Sequence, residues 1–254
     1  MRLARGSVVA PVLFGVAVLV IWQLAVVLLD IKPFVLPSPL RIAGLFVQDV
    51  HIVGRGMLVT GTNAAIGFVL GAVAGIVFAV VAASVRVVDE LGQPLVTAAS
   101  VVPLVALGPV LYTMYGADAE TARQLIAALA VFVPVFVNTL RGLRQVRPVH
   151  RDLMRSLAAT SWQATRTVTL PGALPLVFTG LRIGSSLAVI SALVAEYFGG
   201  PVDGLATAIT SAAAYSNYPL AYAFVLGAIL LGLLFFVVTL AAERLAFRHR
   251  APAS

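Results

Sequence analysis

The most restrictive feature of this 254-residue sequence is the length of its uncharged stretches: Gly204 to Ala242 runs 39 residues without an Asp, Glu, Lys or Arg. A water-exposed helix of that length would need a polar face. Val8 to Leu29, between Arg5 and Asp30, is a second such stretch, and Gly56 to Val85, Leu91 to Ala117 and Gln124 to Leu140 follow. Ala173 to Ala195 interrupts its apolar run only with Arg182. Crossing about 30 Å of hydrocarbon takes about 20 apolar residues, so the pattern predicts an all-α polytopic membrane protein with about six transmembrane helices. Composition agrees, with 61% hydrophobic and 11% charged residues against about 25% charged in a soluble domain. The 39 residues from Gly204 are too many for one crossing. Leu220 to Ala242 is therefore the expected sixth span, with 204–219 an outer re-entrant or interfacial segment. Pro94, Pro103 and Pro109 predict a kinked or broken third span. The first apolar run, at 22 residues, exceeds the 7–15 of a signal-peptide core and reads as an uncleaved span. Residues 1–254 are expected to form a single transmembrane domain.

Six spans put both termini on one side. Arg2, Arg5, Arg86, Arg141, Arg144, Arg147, Arg151, Arg155, Arg166, Arg244, Arg248 and Arg250 share that side, twelve of the seventeen basic residues. The positive-inside rule makes it the cytoplasm of a plasma (inner) membrane protein. The net charge of +7 then reflects topology, and no nucleic-acid partner is expected.

Catalytic chemistry finds little support. There is no Cys, so disulfides and thiolate sites are excluded. The three His are scattered without H-E-x-x-H spacing, no G-x-S-x-G elbow occurs, and the sole lysine, Lys32, lies in no Gly-Lys-Ser/Thr loop. An enzyme is not expected, nor a metal or a bound cofactor. Gly67, Gly71 and Gly75 lie on one helix face and predict close helix packing. The broken Pro103–Pro109 segment is a candidate lining of a pathway, because unwound backbone at membrane depth must be covered by protein or water. Arg182 and Glu196 are the charges expected at membrane depth, where ionisable residues default to function. On one helix they share a face, yet lie about 21 Å apart in rise. Arg182 is expected near midplane and Glu196 at the outer end.

The longest polar stretch, Arg141 to Gly172, holds six arginines and one carboxylate, Asp152. Leu153, Met154, Leu157, Trp162, Val168 and Leu170 give it an apolar edge at near-helical spacing. A merely solvated loop needs no such edge. Its frame resembles the cytoplasmic motif of the inner-membrane permeases of binding-protein-dependent ABC importers: Glu-Ala-Ala, three residues, Gly, nine residues, Ile, one residue, Leu-Pro. Here Asp152-Leu153-Met154, three residues, Ala158, nine residues, Val168, one residue and Leu170-Pro171 keep that spacing without a gap. Leu36-Pro37-Ser38-Pro39, the Val102-Pro103 to Pro109 segment, Asn138-Thr139 to Gly142-Leu143, Thr179-Gly180-Leu181-Arg182 and Ala195-Glu196-Tyr197-Phe198-Gly199 are similar to the same permeases. The departures are Asp for Glu at 152, Leu and Met for two alanines, and Ala158 for Gly, where a turn with positive φ would be strained.

The resemblance implies a type I import permease fold with 141–172 as a cytoplasmic coupling loop. That loop would dock on a separate ATPase subunit through Asp152, Leu153, Met154, Leu157, Ala158, Val168, Leu170 and Pro171. ATP and Mg would sit on the ATPase, not on this chain. A homodimer in membrane lipid, two ATPases and an extracytoplasmic solute-binding protein complete the implied assembly. The branch most similar handles nitrate, sulfonates and taurine, with relatives for pyrimidine precursors and riboflavin. The rival reading is an ion-coupled secondary transporter. It would show matching broken segments in two halves and intramembrane carboxylates, whereas the two halves do not correspond and spans one to four carry no carboxylate.

Overall fold

The computed structural model describes residues 3–85, 103–116, 118–146 and 148–248. Ten helices are described: α1 (Leu3–Leu28), α2 (Pro39–Gln48), α3 (Val50–Ser84), α4 (Leu107–Tyr115), α5 (Thr121–Arg144), α6 (Pro148–Ser156), α7 (Ser161–Ala164), α8 (Leu170–Phe198), α9 (Leu205–Ala214) and α10 (Tyr218–Phe247). A 3₁₀ turn, Leu104–Ala106, precedes α4, and a π-helical turn, Thr165–Thr169, joins α7 to α8 without a break. Five helical runs among the described residues are long and apolar enough to cross a membrane: Val9–Leu28, Val50–Ser84, Thr121–Arg144, Ser161–Phe198 and Tyr218–Phe247. They carry the first, second, fourth, fifth and sixth expected spans. Residues 86–102 of the expected third-span region, with Arg86 and Pro94, lie outside the described residues, as do Arg2, Arg147 and Arg250 of the arginine count.

The chain divides into two compact units. The first comprises Met1–Leu58 and Val202–Ile229. Within it, the Val9–Leu28 part of α1 is apolar all round and almost wholly exposed, the pattern of a helix solvated by lipid rather than by water. α2 starts where Pro39 takes the first helical position, at which a missing N–H costs nothing. Ser38 Oγ caps the Arg41 N–H at 3.4 Å, and the Leu40 N–H donates to Gln23 Oε1 of α1 at 3.2 Å. The expected outer segment 204–219 contains α9, whose Leu205 is fully buried against Gly56.

The second unit comprises Val59–Pro201 and Leu230–Ser254. Its core is α5, held between α3 and α8. A Cβ built on Gly67 would stand 2.5 Å from Ala127 Cβ, and on Gly75 3.0 Å from the Phe132 carbonyl oxygen. On Gly71 it would collide with the Ala128 carbonyl. The contacts advance in the same direction along both helices, so α3 and α5 run parallel, backbone against backbone. On the other side, a Cβ at Gly180 would lie 2.9 Å from the Pro134 carbonyl oxygen and one at Gly184 3.0 Å from Val131 Cγ1. These contacts run in opposite directions, so α8 is antiparallel to α5. Val131 and Val135, both buried, touch the glycines of both neighbours. Below them Phe136 and Leu140 close a cluster with Ala79, Ala82 and Phe132.

Candidate docking loop and buried charge cluster

Two arrangements in the second unit bring the sequence-predicted residues together. In the polar loop, α6 is strongly amphipathic, and Val149, Leu153 and Leu157, four residues apart, form an exposed apolar stripe with Trp162 exposed beyond it. Met154 turns the other way. With Leu143, Val146 and Val168 it lines a pocket of about 130 Å³ that also borders His150 and Arg151. Met154 and Val168 thus hold the loop on the end of α5, while Leu153 and Leu157 face outward. Asp152 is exposed and accepts from Arg155 at 3.4 Å, one turn away on the same helix.

Helix α6 ends in a Schellman turn. The Ala158 N–H reaches the Arg155 carbonyl at 2.9 Å and the Ala159 N–H the Met154 carbonyl at 3.0 Å. This geometry puts Ala158 at φ 50°, in the left-handed region that favours glycine. Thr160 then caps α7: its hydroxyl accepts from the Gln163 N–H, and Gln163 Oε1 accepts from the Thr160 N–H at 2.8 Å. Leu170 and Pro171 open α8 immediately after the π turn.

The second arrangement surrounds Glu196, at the last turn of α8 and fully buried. Its carboxylate accepts from the Thr60 hydroxyl of α3 at 2.7 Å and stands 4.0 Å from the guanidinium of Arg123, itself fully buried at the first turn of α5. Arg123 also donates to the Pro201 carbonyl. The Tyr112 hydroxyl of α4 donates to the Ala195 carbonyl at 3.1 Å. Gly200, at φ 95°, lets the chain pass over these groups, since a Cβ there would lie 2.9 Å from the Tyr112 hydroxyl and 3.0 Å from Arg123 Nε. Gln124 Nε2 donates to the buried Asn63 Oδ1 at 2.9 Å. Four helices are thereby tied at one level by a charged pair and its hydrogen bonds. Such a pair is retained at membrane depth only if both charges are satisfied. Sequence reasoning identified Glu196 but missed Arg123, Thr60 and Tyr112, which are distant in sequence and individually ordinary.

Arg182 does not join this cluster. Its Nε lies 3.3 Å from Glu243 Oε2, with the side chains 33% and 19% exposed. Phe178, one turn earlier on α8, meets Phe247, one turn later on α10, edge to face, 5.7 Å between centroids. This antiparallel register sets Arg182 level with Glu243, a turn from the last residue of α10. Pro103 accepts the 3₁₀ hydrogen bond from the Ala106 N–H at 2.8 Å, and Pro109 occupies the first turn of α4, both exposed. The 3₁₀ turn thus runs directly into α4.

The family described as "Binding-protein-dependent transport system inner membrane component" matches residues 67–251. The chain is 32% identical over 235 residues to the riboflavin transport system permease protein RibX of Chloroflexus aurantiacus, covering 92% of this chain and 87% of the relative. It is 30% identical over 190 residues to the formylaminopyrimidine transport permease protein ThiX of Halalkalibacterium halodurans, covering 74% and 75%. With the nitrate import permease protein NrtB of Synechocystis sp. it shares 26% identity over 207 residues, 77% and 74% of the two chains. A solved structure of an amino acid ABC transporter has the same fold, with a TM-score of 0.64 over 78% of this chain and 95% of that chain at 17% identity. The loop frame, the multi-pass helices and these similarities agree: the chain belongs to the inner-membrane permease subunits of binding-protein-dependent ABC transport systems, as a non-catalytic subunit.

Proposed function

We propose that two copies of this chain form the translocation pathway of an ATP-driven importer, with both termini and residues 141–172 in the cytoplasm. An extracytoplasmic binding protein delivers a small solute, and a separate ATPase, carrying ATP and Mg, drives the cycle through the loop. The observation that carries this reading is the exposed Val149–Leu153–Leu157 stripe beside Asp152 and the Ala158 turn. Apolar side chains on a cytoplasmic helix outside the bilayer are expected to be covered by a partner. Leu170 and Pro171 connect that surface directly to α8, so force on the loop reaches a membrane span. The exposed side of α4 with Pro109, and the Arg182 and Glu196 levels of α8, are assigned to the pathway and its walls.

Because the binding protein supplies selectivity in such systems, riboflavin, formylaminopyrimidine, sulfonates and nitrate are the first solutes to try. The test of the coupling role is Leu153→Asp. It would bury an unpaired carboxylate at the contact, at a cost of several kcal/mol. Insertion should remain normal while co-purification with the ATPase and ATP hydrolysis stimulated by the binding protein are lost. Full stimulation in that variant would remove the loop from the interface. A cysteine in place of Ser156 should resist an impermeant thiol reagent in intact cells, and labelling from outside would reverse the topology.

A further inference from the structure

The run from Ser161 to Phe198 is helical throughout, yet Thr165–Thr169 is wound as a π turn, in which the Leu170 N–H reaches back five residues to the Thr165 carbonyl. The cause lies in the next residue. Pro171 has no N–H to give the Thr167 carbonyl, and in an α-helix its ring would strike that same carbonyl. Widening the turn moves the carbonyl aside. Four of the five residues concerned, Thr165, Thr167, Val168 and Thr169, are β-branched, which weakens the competing α-helix further.

A π turn holds one more residue than the α-helical path between the same two points. Wound as an α-helix, the surplus residue would advance the chain about 1.5 Å and rotate everything before it by about 100°. The span cannot absorb that rotation, because α8 is fixed at two levels. Arg182 pairs with Glu243 of α10, and Glu196 is held by Thr60 of α3 and faces Arg123 of α5. The loop, joined to α8 through α7 and seated by the pocket around Met154, would take it.

We infer that Pro171 is a positioning residue: by forcing the π turn it sets the rotational register of the docking loop relative to α8, so that the Val149–Leu153–Leu157 stripe faces the ATPase. This rests on the coupling reading given under Proposed function. It assigns to the proline a role separable from making contact.

The separation is experimental. Pro171→Ala lets Thr165–Thr169 rewind as an α-helix and turns the stripe away. Binding-protein-stimulated ATP hydrolysis of the reconstituted complex, or retention of the ATPase on the permease, should fall about tenfold, as when a docked surface is misaligned. Deleting Thr167 in the Pro171→Ala background removes the surplus residue and returns the loop to register, so most of the lost stimulation or retention should come back. Ala is a better helix former than Pro, so insertion, followed as yield of monodisperse permease in detergent, should hold in both variants. No loss in Pro171→Ala, or a loss that the deletion does not repair, overturns the register role. A wild-type chain that retains no ATPase would instead overturn the coupling reading itself, which makes the two failures distinguishable.

Discussion

Replacing the glycines of α3 by alanine, one at a time, should change stability with a sign that depends on what each faces. In a helix interior, Gly→Ala gains up to about 1 kcal/mol of helix propensity. Gly54, on the same helix with nothing within 4 Å of an added Cβ, should show that gain undiluted. At Gly67 the new methyl would lie 2.5 Å from Ala127 Cβ and 2.8 Å from the Gln124 carbonyl oxygen. Ordinary carbon contacts are about 3.5–4.0 Å, so α3 and α5 must part by about 1 Å there. At Gly71 the methyl meets the Ala128 carbonyl and lies 2.8 Å from Val131 Cβ, a clash of backbone with no flexible side chain to yield. Overpacking of this kind costs about 1–3 kcal/mol. It outweighs propensity at Gly67 and Gly71 and roughly balances it at Gly75, whose nearest neighbour is 3.0 Å away. A net loss of about 1–2 kcal/mol corresponds to about 2–8 °C in the unfolding midpoint for a chain of this size. The assay is thermal unfolding of the detergent-purified permease, followed by loss of the monodisperse peak. The expected order of midpoints is Gly54→Ala above wild type, Gly75→Ala near it, and Gly67→Ala and Gly71→Ala below. A midpoint raised by Gly71→Ala as much as by Gly54→Ala would refute the backbone-to-backbone contact.

Arg123→Met removes the cation facing the buried Glu196 carboxylate and should destabilise the permease by about 3–5 kcal/mol. The double variant with Glu196→Met should recover most of that in the same melting assay, and a double variant no better than the single would argue against a coupled pair. For the partly exposed Arg182–Glu243 pair about 1 kcal/mol or less is at stake. Arg182→Glu and Glu243→Arg should each lower transport and the swapped pair restore it; failure of the swap would show that something other than their attraction matters. Ala158→Gly relieves the left-handed alanine, worth about 1 kcal/mol, and should slow limited proteolysis of the loop. Faster cleavage would contradict the strained turn.

Features governed by local rules were readable in the sequence. The uncharged runs marked the described spans because a bilayer penalises charge along a continuous helix, and the loop frame around Asp152 and Ala158 marked a turn that the chain makes with φ 50°. The glycines at 67, 71 and 75 announced a close approach without naming the neighbour. What stayed hidden depends on which helices meet. Arg123 could not be singled out because Glu196, which faces it, and Pro201, whose carbonyl it meets, lie far along the chain. Arg182 gives no local sign of its partner, since Glu243 lies on the last helix. The π turn follows from Pro171, yet a proline after a polar loop reads first as an ordinary helix start.

Val131 and Val135 each touch the glycines of α3 on one side and of α8 on the other. A larger side chain at either position would need room from both neighbours at once, so compensation would require simultaneous changes on three helices. Single-step variation on that face of α5 is therefore close to forbidden, whereas α1, exposed nearly all round from Val9 on, can exchange one apolar residue for another with little consequence. A saturation library of this chain should record that asymmetry: dense tolerance along α1 and an almost empty row at 131 and 135, with Ala or Gly the least damaging entrants.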